Sequence, residues 1–281
     1  MPRFAAGLEY DGRAYAGWQF QPGLNTVQGA LQRALSRVAD TPVECVCAGR
    51  TDAGVHALAQ VVHFDTDAVR TERSWRLGAN TYLPSDVSVI WVREMPPHFH
   101  ARFAASARSY RYVILNRDSR PGLAAGRATW ERRPLDADRM HAAAQVLVGE
   151  HDFSAFRAIE CQAKSPVRNV EQLRVVRSGE WLTIEVTANA FLHHMVRNLA
   201  GLLMSVGSGD SRPERVAAVL AGRDRKANAA TAPPDGLYLA AVRYPGEFGL
   251  PEPAGAADAG IAPQSAIIAR NFAPPFDKGT P

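Results

Sequence analysis

Several things are scarce in this sequence, and each scarcity removes a class of protein. It has 3 cysteines, too few for a disulfide framework. Cys45 and Cys47 stand two apart in a strand-like run and face one side, a spacing that does not suit zinc. They read as reduced thiols of a cytoplasmic protein. No apolar run reaches the roughly eighteen residues that a membrane span needs. The opening "MPRFAAGLEYDG" has no long apolar segment, so no signal peptide is expected. Neither G-x-G-x-x-G after a strand nor G-x-x-x-x-G-K-[ST] occurs. No redox or nucleotide-cofactor motif is therefore visible. Lysine is also scarce: of 32 basic residues, all but Lys164, Lys226 and Lys278 are arginine.

What is present is a chain of 281 residues, 46% hydrophobic, enough for one large domain or two ordinary ones. The net charge of +4 is unevenly spread. Arg93 to Arg133 holds nine arginines against Glu94, Asp118 and Glu131, an excess larger than that of the whole chain. Arginine suits bidentate phosphate contacts, so a nucleic-acid footprint fits. An arginine-rich composition with solvated side chains accounts for the same count equally well.

The apolar pattern predicts a strand at Arg3–Tyr10 and then a helix capped by Thr26, with Val27, Ala30, Leu31, Ala34, Leu35 and Val38 on one stripe. Val43–Gly49 and Leu58–Phe64 read as strands, Glu72–Tyr82 as a helix and Val87–Val92 as a strand. The order is βαββαβ, the ferredoxin-like pattern. The second half repeats it. Arg108–Leu115 alternates like a strand, and Asp136 caps a helix ended by Gly149. Val170–Val176 and Trp181–Thr187 form a hairpin around Ser178-Gly179. Ala190–Val206 reads as a long apolar helix, Ser211–Glu214 as a capping box for a helix to Leu220, and Leu237–Tyr244 as the last strand. The fold class expected is α+β, two such units (1–105 and 106–250) with sheets facing or joined, largely antiparallel, around a central cleft. Residues 251–281, rich in Pro, Ala and Gly, read as a mostly disordered tail in which Ala266–Phe272 could dock.

One loop carries chemistry. In "AGRTDAGVHA" (Ala48–Ala57), Gly49 and Gly54 bracket Arg50 and Asp52. Residues i and i+2 of an extended strand point one way, so Arg50 and Asp52 are expected to meet. A guanidinium favours a charged carboxylate, which can serve as nucleophile or base. An Asp that merely caps a turn, with Arg50 as its surface partner, gives the same tripeptide.

The longer string "GRTDAGVHA" resembles the central motif of the TruA family of tRNA pseudouridine synthases. Six further strings extend the resemblance from about Arg3 to Tyr244: "LEYDGRAYAGWQFQP", "NTVQGAL", "FHARFAASARSYRYVI", "HDFSAFR", "NAFLHHMVRNLAG" and "GLYLAAVRYP". The resemblance implies the pseudouridine synthase fold. It also implies isomerisation of uridine to pseudouridine at tRNA positions 38, 39 and 40, in the anticodon stem-loop, by a homodimer without metal or cofactor. It implies Asp52 as the catalytic residue, which either attacks the sugar or acts first as a base at C2′. It implies Tyr110 as the ring that stacks on the flipped base and helps remove the C5 proton, Arg50 and Arg197 around the aspartate, and Leu237 as an apolar wall. The Ala/Pro-rich tail is where the chain departs from the family's pattern.

The residues themselves agree in part. Chemistry on a base needs its extrusion and an aromatic or apolar pocket, and Tyr110 lies within the arginine-rich stretch. Alone, Tyr110 reads equally as a cross-strand core residue. His193 and His194 are adjacent, so a helix would send them to different faces and no metal pair is expected. Tyr238 should lie on the sheet face opposite Leu237. Two rivals are weaker. A non-catalytic RNA-binding module should carry an RNP1-type string, which is missing. A glycoside hydrolase needs a second acid near Asp52, for which only Asp65 and Asp67 offer themselves.

Overall fold

The computed structural model describes residues 1–251 of the chain. The expectations for the tail beyond, including Ala266–Phe272, fall outside the described residues. Among the described residues, five α-helices and ten strands form an α+β arrangement built on one large, mostly antiparallel sheet.

β1 (Arg3–Tyr10) is followed by α1 (Val27–Ala39), whose N-cap Thr26 accepts a hydrogen bond from Gly29 N at 3.3 Å. β2 (Cys45–Cys47), β3 (His56–Asp65), α2 (Glu72–Tyr82) and β4 (Val87–Met95) complete the first half. The second half comprises β5 (Ala107–Asn116), β6 (Thr129–Glu131), α3 (Ala137–Ala144), β7 (Gly149–Asp152), β8 (Val167–Ser178), β9 (Trp181–Ala188), α4 (Met195–Gly207), α5 (Arg215–Gly222) and β10 (Leu237–Arg243).

The strands run in the order β4-β1-β3-β10-β5-β9-β8-β7, with β2 on β3 and β6 on β5. β10 pairs antiparallel with β5 and parallel with β3, through Tyr238 opposite His56 and Leu239 opposite Ala57. That short parallel seam joins the two halves into one sheet. β2 pairs with the far end of β3, through Val62 to Phe64, so β2 and β10 share one edge of that strand. The side-chain period of two sorts the residues by face. Tyr110, Tyr112, Ile114, Leu237 and Leu239 belong to the main core, while Val113, Leu115 and Tyr238 form a small second core. Tyr238 thus lies opposite Leu237, as its alternation predicts, and stacks on His56.

Four local expectations need correction. The strand expected over Val43–Gly49 shrinks to Cys45–Cys47, because the chain bends at Ala48 and Gly49. The helix expected from Ala190 starts at Met195, because His194 adopts φ 61 and breaks the run. The capping box at Ser211 does not form: buried Ser211 accepts instead from the Ser205 hydroxyl (3.1 Å) and from Arg215 Nη1 (2.8 Å), and the helix begins after Glu214. The short strands β6 and β7 were not expected, since three or four residues are too few to display a period.

Candidate active site

The loop that carries Asp52 is held on all sides. β2 ends at Cys47, and Ala48 N donates to Val61 O at 2.7 Å. Gln60, fully buried, reaches across from β3: its Nε2 donates to Gly49 O at 2.6 Å, and its Oε1 accepts from Gly49 N at 3.4 Å. Thr51 O accepts from Trp18 N at 2.9 Å, and the Thr51 hydroxyl pairs with Tyr10 Oη at 2.7 Å. The turn closes through Val55 N to Asp52 O at 3.1 Å, with Gly54 at φ +78. Behind it lies Gly17, at φ +96, where a Cβ would stand 2.8 Å from Thr51 O and 3.1 Å from Ala53 N. The backbone of "AYAGWQ" therefore packs directly on the backbone of the aspartate loop, which only glycine permits here.

The partners of Asp52 come from the second half. Arg197 Nη1 on α4 donates to Asp52 Oδ2 at 3.2 Å. The guanidinium is itself fixed, because its Nε donates to Ala232 O at 2.8 Å. His193 Nε2 lies 3.3 Å from Asp52 Oδ1, and His194 Nε2 lies 3.4 Å from Oδ2. The expectation that these histidines diverge is corrected here: both precede α4 and converge on one carboxylate, their rings 4.0 Å apart. Burial lowers the His194 pKa, against the pull of Asp52, so the imidazole is neutral at neutral pH. Such a carboxylate, facing a fixed guanidinium and only about one-fifth exposed, is oriented for nucleophilic or basic work.

Arg50 does not meet Asp52. It is exposed, and among the described residues it forms no ion pair. The i, i+2 rule fails because the chain leaves the extended conformation at Ala48. Tyr110 is buried on β5 and meets Phe191 edge-to-face at 4.8 Å. A Cβ on Gly49 would lie 3.6 Å from the Tyr110 hydroxyl, which places that hydroxyl directly beside the aspartate loop. Burial, and then the charge of Asp52, raises the Tyr110 pKa, which keeps the phenol protonated. Leu237 is buried on the same sheet face, opposite Tyr112.

The arginines flanking Tyr110 are committed inside the protein. Arg108 donates to the carbonyls of Ala48, Arg102, Ala105 and Asn189, stitching the aspartate loop to the β4–β5 connection and to the end of β9. Arg111 pairs with Glu185 at 3.3 Å. Neither is free to hold a phosphate. Arg102 instead lies beside Phe103, its guanidinium carbon 5.7 Å from the centre of a ring that is 77% exposed. Neither acid offered by the hydrolase rival stands by Asp52: Asp65 lies at the far end of β3, bound by Arg3 at 2.7 Å, and Asp67 pairs with the Met1 amino group at 3.4 Å.

Among the described residues, Asp52, His193 and His194 have ligand-capable atoms within 4.8 Å of one another. A cavity of about 500 Å³, lined by Tyr10, Asp11, Arg13, His56, Arg127 and Tyr238 among others, does not include Asp52. Sequence reasoning missed Gln60, Arg108 and the joint role of the histidine pair. The adjacent histidines one turn before Arg197 were the only signal available for the last.

The profile of a family described as tRNA pseudouridine synthase matches residues 6–104 and 143–245, well over half of the chain. The tRNA pseudouridine synthase A of Methylococcus capsulatus is 60% identical over 248 residues, which cover 88% of this chain and 92% of that protein. The protein of that name from Pseudomonas aeruginosa is 56% identical over 253 residues, covering 90% and 89%. That of Nitrosococcus oceani is 55% identical over 249 residues, covering 89% and 96%. By the length and closeness of these matches, the chain belongs to the tRNA pseudouridine synthase family.

Proposed function

We propose that this enzyme isomerises uridine to pseudouridine at positions 38, 39 and 40 of the tRNA anticodon stem-loop, with Asp52 as nucleophile or base. The C1′–N1 bond breaks, the uracil turns, and C1′ bonds to C5. The C5 proton leaves and N1 gains one, so nothing is oxidised or reduced overall. One observation carries the reading: Asp52, on a loop locked by Gln60, Thr51 and Val55, faces Arg197 at 3.2 Å, with the protonated Tyr110 across Gly49.

In this reading the target base is extruded from the stack to reach the carboxylate. Tyr110 supplies a ring face and a hydroxyl, Leu237 an apolar wall, and Arg197 orients the Asp52 carboxylate through its 3.2 Å contact with Oδ2. Arg50, exposed at the mouth of the loop, is available to the RNA backbone. The halves 1–105 and 106–250 are two ferredoxin-like units. Supporting this, β4-β1-β3-β2 and β10-β5-β9-β8 follow one order of first, second, third and fourth strands. The enzyme works as a cytoplasmic homodimer, and no helix among the described residues is long and apolar enough to cross a membrane. Incubation with unmodified tRNA carrying U at positions 38–40, followed by mapping of pseudouridine, tests the activity. Pseudouridine elsewhere, or none, refutes it. Sedimentation tests the dimer.

A further inference from the structure

We propose that Asp52, His193 and His194 form a binding site for a divalent transition metal of zinc's class, and that filling it switches the enzyme off. The inhibitory half of this proposal rests on Asp52 being the reacting carboxylate, whereas the binding half does not. The geometry is that of a nearly assembled site. His193 Nε2 and His194 Nε2 lie 3.3 and 3.4 Å from the two carboxylate oxygens, and all three donors fall within 4.8 Å. A tetrahedral ion with bonds of about 2.0–2.1 Å spaces its ligands roughly 3.3–3.4 Å apart. Two imidazoles and one carboxylate are the borderline donors that suit zinc, not the all-oxygen shells that magnesium and calcium prefer.

The backbone holds the arrangement ready. The left-handed His194 sits in the turn that leads into α4, and two consecutive side chains there converge on one carboxylate. A regular helix would have parted them by about 100°. On the other side, the aspartate loop is fixed by Gln60 and Thr51. Arg197 limits the affinity. Anchored on Ala232 O, it stays 3.2 Å from Oδ2 and opposes a cation there. The metal therefore takes Oδ1, 3.3 Å from His193 Nε2, and His194 Nε2, which stands 3.4 Å from Oδ2, closes on it from within the 4.8 Å span of the three donors. An ion so placed coordinates the carboxylate that must react and fills the space the uridine must enter. Metal and substrate then exclude each other.

The test uses the full chain, stripped of metal by a chelator and assayed on tRNA in excess magnesium, which occupies the RNA's own cation sites. Added zinc should abolish pseudouridine formation, and EDTA should restore it. Cobalt(II), added without RNA, should give the visible absorption of a tetrahedral nitrogen–oxygen site, and zinc should displace it. His193→Gln and His194→Gln should each weaken cobalt binding by ~10-fold or more, since even changes behind the ligands cost 10–100-fold. His100→Gln, which alters the separate His63–His100 pair, should leave binding unchanged. For the unaltered protein, saturating tRNA should displace the cobalt, so the proposal does not depend on either variant folding. It is overturned if cobalt gives no such spectrum, if the spectrum is that of a thiolate complex, or if both histidine variants bind as tightly as the parent. Cobalt bound at this site without loss of activity would uphold the site, overturn the inhibition and count against Asp52 as the reacting group.

Discussion

Replacing Tyr110 by Phe separates what its hydroxyl does from what its ring does. The ring is 9% exposed and rests edge-on against Phe191, and Phe keeps that contact. Among the described residues the hydroxyl has no hydrogen-bond partner, in contrast to Tyr10, whose hydroxyl meets Thr51 and Gln60. Removing a hydroxyl that bonds to no protein group leaves no buried partner unsatisfied, so folding stability should change by less than about 0.5 kcal/mol. The Tyr10→Phe counterpart should cost about 1–2 kcal/mol, because it leaves the buried Thr51 hydroxyl without its partner and removes the weaker of the two bonds of Gln60 Nε2. Catalysis should show the opposite ranking. The hydroxyl is held protonated beside Asp52, so it takes the C5 proton only as a relay, passing its own proton to a base such as that carboxylate, and general acid–base work contributes roughly 10²–10⁴ in rate. Tyr110→Phe should bind tRNA normally and release tritium from 5-tritiated uridine slower by that factor under single-turnover conditions. Tyr110→Ala is a poor substitute, since emptying a buried aromatic site costs about 3–5 kcal/mol. Tritium release at the parental rate by the Phe variant, with stability unchanged, would refute the proton role and leave stacking alone.

Four other outcomes are expected. Asp52→Asn should lower turnover by roughly 10³ or more while tRNA affinity is largely kept; substantial product from the purified variant removes the assignment. Gly17→Ala should destabilise by about 1–3 kcal/mol in urea titrations, and should slow turnover, because the new Cβ would displace the Thr51–Ala53 backbone; an unchanged urea midpoint contradicts the packing argument. His63 is buried against His100 and Arg3 with Asp65 beyond, and its pKa is lowered to about 4 chiefly by burial. The unfolded chain binds more protons below the ordinary value of 6.5, so stability should be full above that pH and decline toward pH 4, by about 3 kcal/mol at most. His63→Gln should flatten that decline in denaturant titrations at stepped pH. Phe103→Ala should weaken tRNA binding in filter assays by about 1–3 kcal/mol with an unchanged melting temperature, and normal affinity would return this exposed ring to plain surface.

The elements with sustained periods were legible: β1 and α2 fall at the expected bounds, and the stripe and cap of α1 are as the sequence indicates. What escaped was set by distant contacts or by single backbone angles. Asp52 stands out because of its glycines, but its nearest cation is 145 residues away in the chain, and no local rule reports such a meeting. Arg50, two residues away, was the obvious partner and is the wrong one. Ala190–Leu192 is apolar enough to continue a helix, and one left-handed histidine stops it. Arg108 and Arg111 counted toward a basic stretch, yet their charges are spent on carbonyls and on Glu185. Composition counts charges without reporting which of them are already engaged.

The parallel seam between β3 and β10 has a consequence in time. Asp52 lies in the first half, Arg197 and the histidines in the second, and β10, which sits between β3 and β5, is made last among the strands of the described residues. On a ribosome the first half emerges and begins to collapse while one edge of β3 still lacks its neighbour. The carboxylate is therefore translated, and its loop can form, long before anything faces it. Only when residues 237–243 have cleared the exit tunnel can the final strand slide between its two waiting neighbours and draw both halves together. A nascent chain thus holds Asp52 without the groups that orient it until β10 has emerged.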